Sequence, residues 1–467
     1  MRKIIVFLFL ITASNFISAQ TENYKISINN FQMQFNDKDY LKIFNSFSPQ
    51  MQQTLPMEKT KEFFSNLYKN VGDIKAKEFI DYENLNSALY KAKFEKATLA
   101  IYISLNKNNK IAGLLIKPYH EKNKLNQAIN ALKTYPKEIA ESIFLKAQDF
   151  PNNTQLSIAV IENGETSFYG IKRENDSIKE YKNQDKVFEI GSITKVFTST
   201  VFASLVVSGN LKLDDTINSF YPFDLNNNTI LTFKSLANHT SGLPRLPENL
   251  DLSNEINPYK DYGNREIEDY LKNYLKIEND STNSYNYSNL GAGLLGYTLG
   301  ITQKSSFQTL LKRHIFDEYK MNNSYTDSRN LDGSLIKGLD QNGKEVKNWD
   351  FDALFGGGGI LSTTEDLSKF AKAQFNPDNF ELELTRKPTF TIDDRMKIGL
   401  GWHIIKSKND IDLYWHNGGT AGYSSSIIIE PKNHFAVIIL SNVSAFNSTM
   451  RNIDDLAFEL AKNLNGK

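Results

Sequence analysis

The chain has 467 residues, which is more than one ordinary domain contains and predicts two or three domains. Its hydrophobic fraction of 40% and aromatic fraction of 12% allow packed cores and exclude a disordered chain. Basic and acidic residues balance at 54 each, which argues against nucleic-acid or membrane-surface binding, and the absence of cysteine excludes disulfides, thiol nucleophiles and thiolate metal sites.

The first 19 residues have the features of a secretory signal peptide. Arg2 and Lys3 precede an apolar run over residues 4–11, and small residues lead to a predicted cleavage after Ala19. The run is too short for a permanent bilayer anchor, although an uncleaved anchor is the alternative interpretation. No other stretch approaches 18 apolar residues. We therefore expect an exported chain, periplasmic or extracellular, without a permanent membrane span.

Residues 20–120 have the pattern of a small α+β domain. Helical spacing and then period-two spacing of apolar residues predict two helices followed by three antiparallel strands, over residues 30–47, 56–71, 87–94, 97–105 and 110–118. Two helices followed by a curled sheet resemble the cystatin-like or nuclear-transport-factor-like cone-shaped domains that precede secreted hydrolases. No residue here suggests chemistry, so we expect a packing or binding role.

Residues 121–150 are rich in Lys, Asn and Gln, and we interpret them as a linker that ends in the leading helix of the next domain. That domain is expected to occupy residues 151–467. Strand-like segments lie at both of its ends, over residues 155–161, 165–171, 424–430 and 435–440. Because helices lie between them, the two ends are predicted to build one antiparallel sheet, followed by a final helix over 453–464.

Ser192 stands three residues before Lys195 at the predicted start of a long apolar helix. If this segment is helical, the two side chains share a face, with Cβ atoms about 5–6 Å apart. A desolvated lysine can take the proton of a hydroxyl, and a helix N-terminus favours negative charge. The pattern is short, and a second copy, Ser334 with Lys337, lies in a loop-like stretch without a following helix.

Other catalytic signatures are missing from the sequence. It contains no Gly-x-Ser-x-Gly elbow, no His-Glu-x-x-His and no phosphate-binding glycine loop. Four consecutive glycines, residues 356–359, are not followed by Lys-Ser or Lys-Thr, and we interpret them as a flexible turn. The six histidines lack metal-ligand spacing, so no metal site is predicted.

Three motifs occur in a fixed order: Ser192-x-x-Lys195, Tyr287-Ser288-Asn289 and His416-Asn417-Gly418. Together with the flanking segments 236–244 and 357–367, they resemble the serine β-lactamase and penicillin-binding-protein superfamily. Within this superfamily, the motifs look most like the class C β-lactamase, esterase and D-aminopeptidase type. The resemblance covers about residues 150–465 and implies an α/β (α+β) fold: an antiparallel sheet flanked by helices, with an all-helical insertion. It implies no cofactor.

The resemblance also implies a role for each motif residue. Ser192 would be the nucleophile that forms an acyl-enzyme, and Lys195 would be the base that assists it. Tyr287 would carry the proton to the leaving group and activate the deacylating water. Asn289 would orient Lys195 or the substrate, whereas His239, in a segment typical of a turn, is interpreted as a structural anchor.

The third motif departs from the family's usual pattern. The backbone N–H groups of Ser192 and Gly419 would form the oxyanion hole, worth ~3–4 kcal/mol per donor. Most β-lactamases and penicillin-binding proteins have Lys-Thr-Gly or Lys-Ser-Gly here, whereas this chain has His416 and Asn417 before Gly418. A histidine with a pKa near ~6.5 is mostly neutral at neutral pH and lacks the fixed charge suited to a substrate carboxylate. His416 could contact substrate or serve as a structural hydrogen-bonding residue.

The expected function is an exported serine hydrolase that cleaves an ester or amide bond of a small molecule or peptide. The departure at His416 favours esters, amides or D-amino-acid peptides over β-lactams. Two alternatives stay open: a true β-lactamase or D-peptidase acting on cell-wall peptides, and a non-catalytic binding or sensor protein that reuses the pocket. The sequence predicts no nucleic-acid partner and leaves the oligomeric state open.

Overall fold

A computed structural model describes residues 22–465 except 84–86, 120–127, 252–253, 255–256, 278–283, 330, 332 and 408. The predicted signal peptide, residues 1–19, lies outside the described residues. The chain divides into two compact units, Met1–Asn123 and Lys124–Lys467. Within the described ranges, no helix is both long and apolar enough to cross a bilayer.

The N-terminal unit is a four-stranded antiparallel sheet with helices. Its elements are α1 (22–36), α2 (Tyr40–Ser46), α3 (Pro49–Thr54), α4 (Met57–Val71), β1 (Ile74–Glu83), β2 (Ser87–Phe94), β3 (Thr98–Leu105) and β4 (Ile111–Pro118). The strands are paired in the order β1-β2-β3-β4. The three predicted strands are present, and β1 is a fourth that the sequence pattern did not predict.

The single helix predicted over residues 30–47 is wrong, because two helices occupy this region and the first begins by residue 22. Lys38 has a left-handed backbone (φ 57°), which ends α1, and the Asp39 side chain then caps α2 by accepting from Lys42 N. Edge-to-face rings from α1 and α4, Phe31 and Phe64, lie in the core of this unit.

The second unit is built on one large sheet. Its strands are β5 (Ile129–Ala131), β6 (Gln155–Glu162), β7 (Glu165–Phe168), β8 (Ile171–Glu174), β9 (Ser177–Glu180), β10 (Phe188–Glu189), β11 (Gly338–Leu339), β12 (Glu345–Val346), β13 (Leu361–Ser362), β14 (Phe390–Thr391), β15 (Met396–Ile398), β16 (His403–Lys406), β17 (Asp412–Gly419), β18 (Ser424–Glu430) and β19 (Phe435–Ser441). The large sheet has the order β14-β15-β16-β17-β18-β19-β6-β8-β9-β5, and β7 also pairs with β6.

The pairing of β19 with β6 joins the two ends of this unit. The pair is antiparallel, with Ile438 opposite Ala159, so the prediction that both ends build one sheet is confirmed. Two short pairs, β10 with β13 and β11 with β12, lie outside the large sheet. Residues 129–150, predicted as part of a linker with a leading helix, contribute β5 to this sheet through a parallel pairing with β9.

Helices cover both faces of the sheet. The α-helices in the described part of this unit are α5 (Lys137–Ala147), α6 (Thr194–Val207), α7 (Phe233–Ala237), α8 (Asn264–Asp269), α9 (Asn289–Thr302), α10 (Phe307–Leu311), α11 (Thr364–Ala373), α12 (Phe380–Arg386) and α13 (Asn452–Asn465). Val437 and Ile439 of β19 share a core with α5 and α13, whereas Ile438 and Leu440 share a core with α6. Because both faces are buried, β19 is apolar without alternation over residues 435–440, and β18 has three consecutive isoleucines, residues 427–429.

Candidate active site

Ser192 lies in a single 3₁₀ turn, Gly191–Ile193, that leads directly into α6. Gly191 has a left-handed backbone (φ 52°), and a Cβ there would lie 2.6 Å from Gly419 N, so this position requires glycine. Lys195, one residue into α6, is 1% exposed, and its Nζ lies 2.9 Å from Ser192 Oγ. The turn and helix therefore bring together the two side chains that the spacing places on one face.

The four-glycine run holds the Lys195 side chain. Lys195 Nζ donates to the Gly357 carbonyl at 2.6 Å, and Thr198 Oγ1 donates to the Gly356 carbonyl at 2.8 Å. The sequence interpretation of this run as a flexible turn missed this contact with α6. Burial, followed by the positive charge of Arg245, holds the pKa of Lys195 well below its usual range.

Tyr287 comes just before α9, whose N-cap is Ser288. Its ring centre lies 5.0 Å from Lys195 Nζ. Burial raises the pKa of Tyr287 to about 12, against the opposing influence of Ser192 and Arg245. The phenol therefore stays protonated at neutral pH and can act as a proton donor, while the lysine is the group that can accept a proton.

The loop that contains His239 is fastened to the Tyr287 segment. Ser288 N donates to His239 Nδ1 at 3.2 Å, and Asn289 N donates to the Arg245 carbonyl at 3.0 Å. The His239 ring centre is 4.6 Å from that of Tyr287. His239 itself has a left-handed backbone (φ 60°) and is buried, so its contacts position Tyr287, in agreement with the structural interpretation from sequence.

The third motif forms the end of a strand that the sequence analysis did not predict. His416, Gly418 and Gly419 belong to β17, which comes just before β18, the strand predicted to begin at Ser424. A Cβ at Gly418 would overlap the Ile190 carbonyl oxygen and lie 2.9 Å from Ser192 N. This close approach brings the end of β17 against the Ser192 turn, as an oxyanion hole made by the backbones of Ser192 and Gly419 requires.

His416 is a neutral, buried side chain. Its Nδ1 donates to the Asn417 carbonyl at 2.6 Å, which leaves Nε2 as an acceptor with no hydrogen-bond partner among the described residues. Burial, followed by the nearby His403 and Lys195, holds its pKa well below the usual range. The third motif therefore supplies no fixed positive charge in this chain.

His403, the first residue of β16, was missed by the sequence analysis. Its Nε2 lies 2.8 Å from Tyr285 Oη, and its ring centre is 5.3 Å from that of His416. Burial lowers the pKa of His403 to about 4. Among the described residues, no group of three or more His, Cys, Asp and Glu side chains is arranged to hold a metal ion.

A small pocket with aromatic walls opens beside Ser192. Its lining residues are Gly191, Ser192, Tyr259, Asn289, Trp349, Phe351, Leu354, Gly357, Gly358, Gly419 and Thr420. Tyr259 and Phe351 stack with ring centres 4.6 Å apart. Asn289 lines this pocket, and no hydrogen bond joins its side chain to Lys195 in the described part of the chain.

Glu189, also missed as a functional residue, fixes one wall of this pocket. Its Oε1 accepts from Asn348 Nδ2 at 2.7 Å and from Trp349 N at 2.9 Å. Burial raises the pKa of Glu189 to about 7, despite the lowering effect of its hydrogen bonds. The only available signal was its place three residues before Ser192, outside the first motif.

Comparison with known families and proteins gives matches to both units. A family profile described as Beta-lactamase matches residues 148–462, and one described as a protein of unknown function, DUF3887, matches residues 29–114. The second match is consistent with a nuclear-transport-factor-like N-terminal domain. Protein flp from Staphylococcus aureus (strain MW2) is 24% identical over 311 residues, or 62% of this chain. The match spans 59% of the length of Protein flp.

Two further proteins are similar to the second unit, one in sequence and one in fold. A Beta-lactamase from Pseudomonas fluorescens is 25% identical over 295 residues, which are 59% of this chain and 75% of that protein. The octameric penicillin-binding protein homologue from Pyrococcus abyssi has the same fold, with a TM-score of 0.60 and 22% identity over 71% of this chain and 77% of that chain. Since the Beta-lactamase profile matches more than half of it, the chain belongs to the beta-lactamase family, within the serine hydrolase superfamily.

Proposed function

We propose that the chain is an exported serine hydrolase that cleaves an ester or amide bond through an acyl-enzyme on Ser192. The observation that carries this proposal is the 2.9 Å contact between Ser192 Oγ and Nζ of the buried Lys195. A lysine that is removed from water and has no carboxylate partner among the described residues holds its proton weakly. It can therefore take the serine proton as the hydroxyl attacks.

In the proposed acylation step, Ser192 Oγ forms a bond to the substrate carbonyl carbon, and the bond to the leaving oxygen or nitrogen breaks. Lys195 takes the serine proton, and Tyr287 passes a proton to the leaving group. The N–H groups of Ser192 and Gly419 hold the negative oxygen of the tetrahedral intermediate. In deacylation, a water gives up its proton to the same pair, and the acid leaves as Ser192 regains its hydrogen.

The neutral His416 favours esters, amides or D-amino-acid peptides as substrates. Its Nε2 can accept a hydrogen bond, but it cannot supply the fixed charge that a lysine gives in the family's usual motif. A true β-lactamase or cell-wall D-peptidase is the second candidate, which the matched Beta-lactamase from Pseudomonas fluorescens favours. A non-catalytic sensor is a third, although the close Ser192–Lys195 pair favours catalysis over a decayed site.

Export is proposed from the N-terminal sequence alone. Arg2, Lys3 and the apolar run over residues 4–11 have the order of a secretory signal, with cleavage after Ala19. Intact-mass measurement of protein recovered from the extracytoplasmic fraction should give a chain that begins at Gln20. A protein that keeps Met1 in the membrane fraction would support the uncleaved anchor instead.

The decisive experiment is covalent labelling with a serine-reactive probe, followed by peptide mass spectrometry. Wild-type protein should carry the label on Ser192, and Ser192→Ala should lose both the label and turnover of a short aryl ester. Ser334→Ala is the matched control, because Ser334 belongs to the second Ser-x-x-Lys copy and lies in a turn outside α6. Labelling that persisted in Ser192→Ala and vanished in Ser334→Ala would overturn the assignment.

A substrate panel separates the three candidates. Preference for a short acyl ester over a chromogenic cephalosporin supports the ester or amide hydrolase. The reverse preference, with dependence on Ser192, supports the β-lactamase. Tight ligand binding without turnover of any acyl substrate supports the sensor.

A further inference from the structure

Arg245 is an exposed cation next to the tyrosine of the candidate site. Its guanidinium carbon lies 5.3 Å from the Tyr287 ring centre. Among the described residues, no carboxylate forms an ion pair with this side chain and no acceptor takes a hydrogen bond from it. A guanidinium has five N–H donors in a planar fork, so Arg245 presents unused donors beside Tyr287.

The backbone of Arg245 is held in place by the second motif. Its carbonyl oxygen accepts from Asn289 N at 3.0 Å and from Leu290 N at 3.2 Å, at the first turn of α9. The preceding carbonyl, that of Pro244, accepts from Ser288 Oγ at 2.6 Å. The Cα of Arg245 is therefore fixed beside the Tyr287 segment, and only the side chain is free to adjust to a ligand.

The other basic side chains around Tyr287 are buried and carry little charge. Burial is the main cause that lowers the pKa of Lys195 and of the three histidines His239, His403 and His416. A substrate anion that enters the site consequently meets Arg245 as the exposed cation beside the reacting groups. This is the charge that the third motif lacks, supplied from a different loop.

We propose that Arg245 binds a carboxylate on the leaving group of the substrate, which makes an ester or amide with an acidic alcohol or amine component the preferred class. The inference rests on the proposed function, in which Tyr287 delivers the proton to the leaving group. A group held by the guanidinium beside Tyr287 therefore belongs to the leaving-group side of the scissile bond. Arginine and carboxylate can form two parallel hydrogen bonds, which would fix the orientation of that group as well as attract it.

Two esters with the same phenylacetyl group test this proposal. One releases 3-hydroxybenzoate and the other releases 3-hydroxybenzamide, so they differ in the charge of the leaving group while its shape stays similar. Wild-type kcat/KM should favour the carboxylate ester, and Arg245→Gln should lower the ratio of the two values about tenfold, the equivalent of ~1.4 kcal/mol. Arg245→Lys should keep part of the preference, because it keeps the charge and loses the fork.

The control is Arg313→Gln, which removes the same charge from an exposed position in the helical segment Lys312–Phe316 and should keep the wild-type ratio. Added salt should lower the wild-type ratio, because exposed charge contacts are screened. If Arg245→Gln lowers kcat/KM for both esters by the same factor, the arginine only packs on Tyr287 and the inference is overturned. An unchanged ratio overturns it as well.

Ser192→Ala makes the two failures distinguishable. Suppose that Ser192→Ala hydrolyses neither ester and that Arg245→Gln leaves the ratio of the two kcat/KM values unchanged. The proposed function then stands, and the role of Arg245 is overturned. If Ser192→Ala hydrolyses both esters at the wild-type rate, the proposed function is overturned, and the inference with it.

Discussion

The side-chain nitrogen of Lys195 lies 5.0 Å from the ring centre of Tyr287, and burial moves the pKa values of the two groups in opposite directions. It holds the pKa of Lys195 well below the usual range and raises that of Tyr287 to about 12. Burial disfavours the charged form of each group, which is the protonated amine and the deprotonated phenol. In the proposed mechanism, both shifts favour the neutral forms that the reaction needs, with the amine as base and the phenol as acid.

This assignment predicts how activity depends on pH. For a neutral ester, kcat/KM should rise as Lys195 loses its proton and then level off, because only the free amine can take the proton of Ser192. Arg245 lowers the pKa of Lys195 through its positive charge, so Arg245→Gln should move this rise to higher pH. The pH profiles of wild type and variant provide the measurement. Arg313→Gln should not shift the pH profile. If kcat/KM of Arg245→Gln rises at a lower pH than that of wild type, the assignment is contradicted.

The raised pKa of Glu189 predicts that the stability of the folded chain depends on pH. Its pKa is raised from 4.5 to about 7 in the folded chain, so between these values the folded state binds more protons than the unfolded state. The unfolding free energy should therefore fall as the pH rises through this window, by at most about 3 kcal/mol. Glu189→Gln should remove this fall, because an amide does not titrate. Urea unfolding below and above the window measures it.

The control for this experiment is Glu165→Gln, which changes an exposed carboxylate of β7. That variant should keep the wild-type dependence on pH. If Glu189→Gln and Glu165→Gln behave alike, the fall has another source, and Glu189 does not take up a proton in the folded state.

Introducing the family's usual lysine at His416 should damage the protein. The His416 side chain is 1% exposed, and both Lys195 and His403 are close enough to lower its pKa. Among the described residues, no carboxylate pairs with the His416 side chain, so a buried ammonium there would be unpaired. His416→Lys should therefore lower the unfolding free energy by roughly 3–5 kcal/mol without creating β-lactam turnover. Thermal unfolding and a chromogenic cephalosporin assay measure the two effects.

His416→Gln serves as the matched variant, since a glutamine can keep a hydrogen bond without adding charge. It should remain close to wild type in stability. A stable His416→Lys protein that hydrolyses the cephalosporin would contradict the argument and would instead support the β-lactamase interpretation.

The parts of the site that could be predicted from sequence depend on local geometry or on ordered motifs. Ser192 and Lys195 meet because helix geometry places positions three apart on one face. The contact from Lys195 to the Gly357 carbonyl joins positions 162 residues apart, and no local pattern predicts it. Arg245 was missed for the same reason, since its backbone partner, Asn289, is distant in the sequence and nearby only in the fold.

The fold shows the same division between local pattern and long-range pairing. Strands β18 and β19 were predicted from their apolar runs, residues 427–429 and 435–440, which are typical of strands buried on both faces. Strand β1 was not, because its sequence IKAKEFIDYE mixes charged and apolar residues and its pairing with β2 has two register shifts. Such irregularities interrupt the period of two on which the prediction relied.

The close approach of Gly418 to the Ser192 turn gives the last prediction. A Cβ there would overlap the Ile190 carbonyl oxygen and lie 2.9 Å from Ser192 N, so Gly418→Ala should displace an N–H of the proposed oxyanion hole. We expect kcat for an aryl ester to fall by about 10²–10³-fold. Gly113→Ala, with an ordinary 3.4 Å contact to Ser104 Oγ, is the control and should keep kcat. Folded Gly418→Ala protein with wild-type kcat would contradict this oxyanion hole, because the methyl group cannot fit without moving the Ser192 turn.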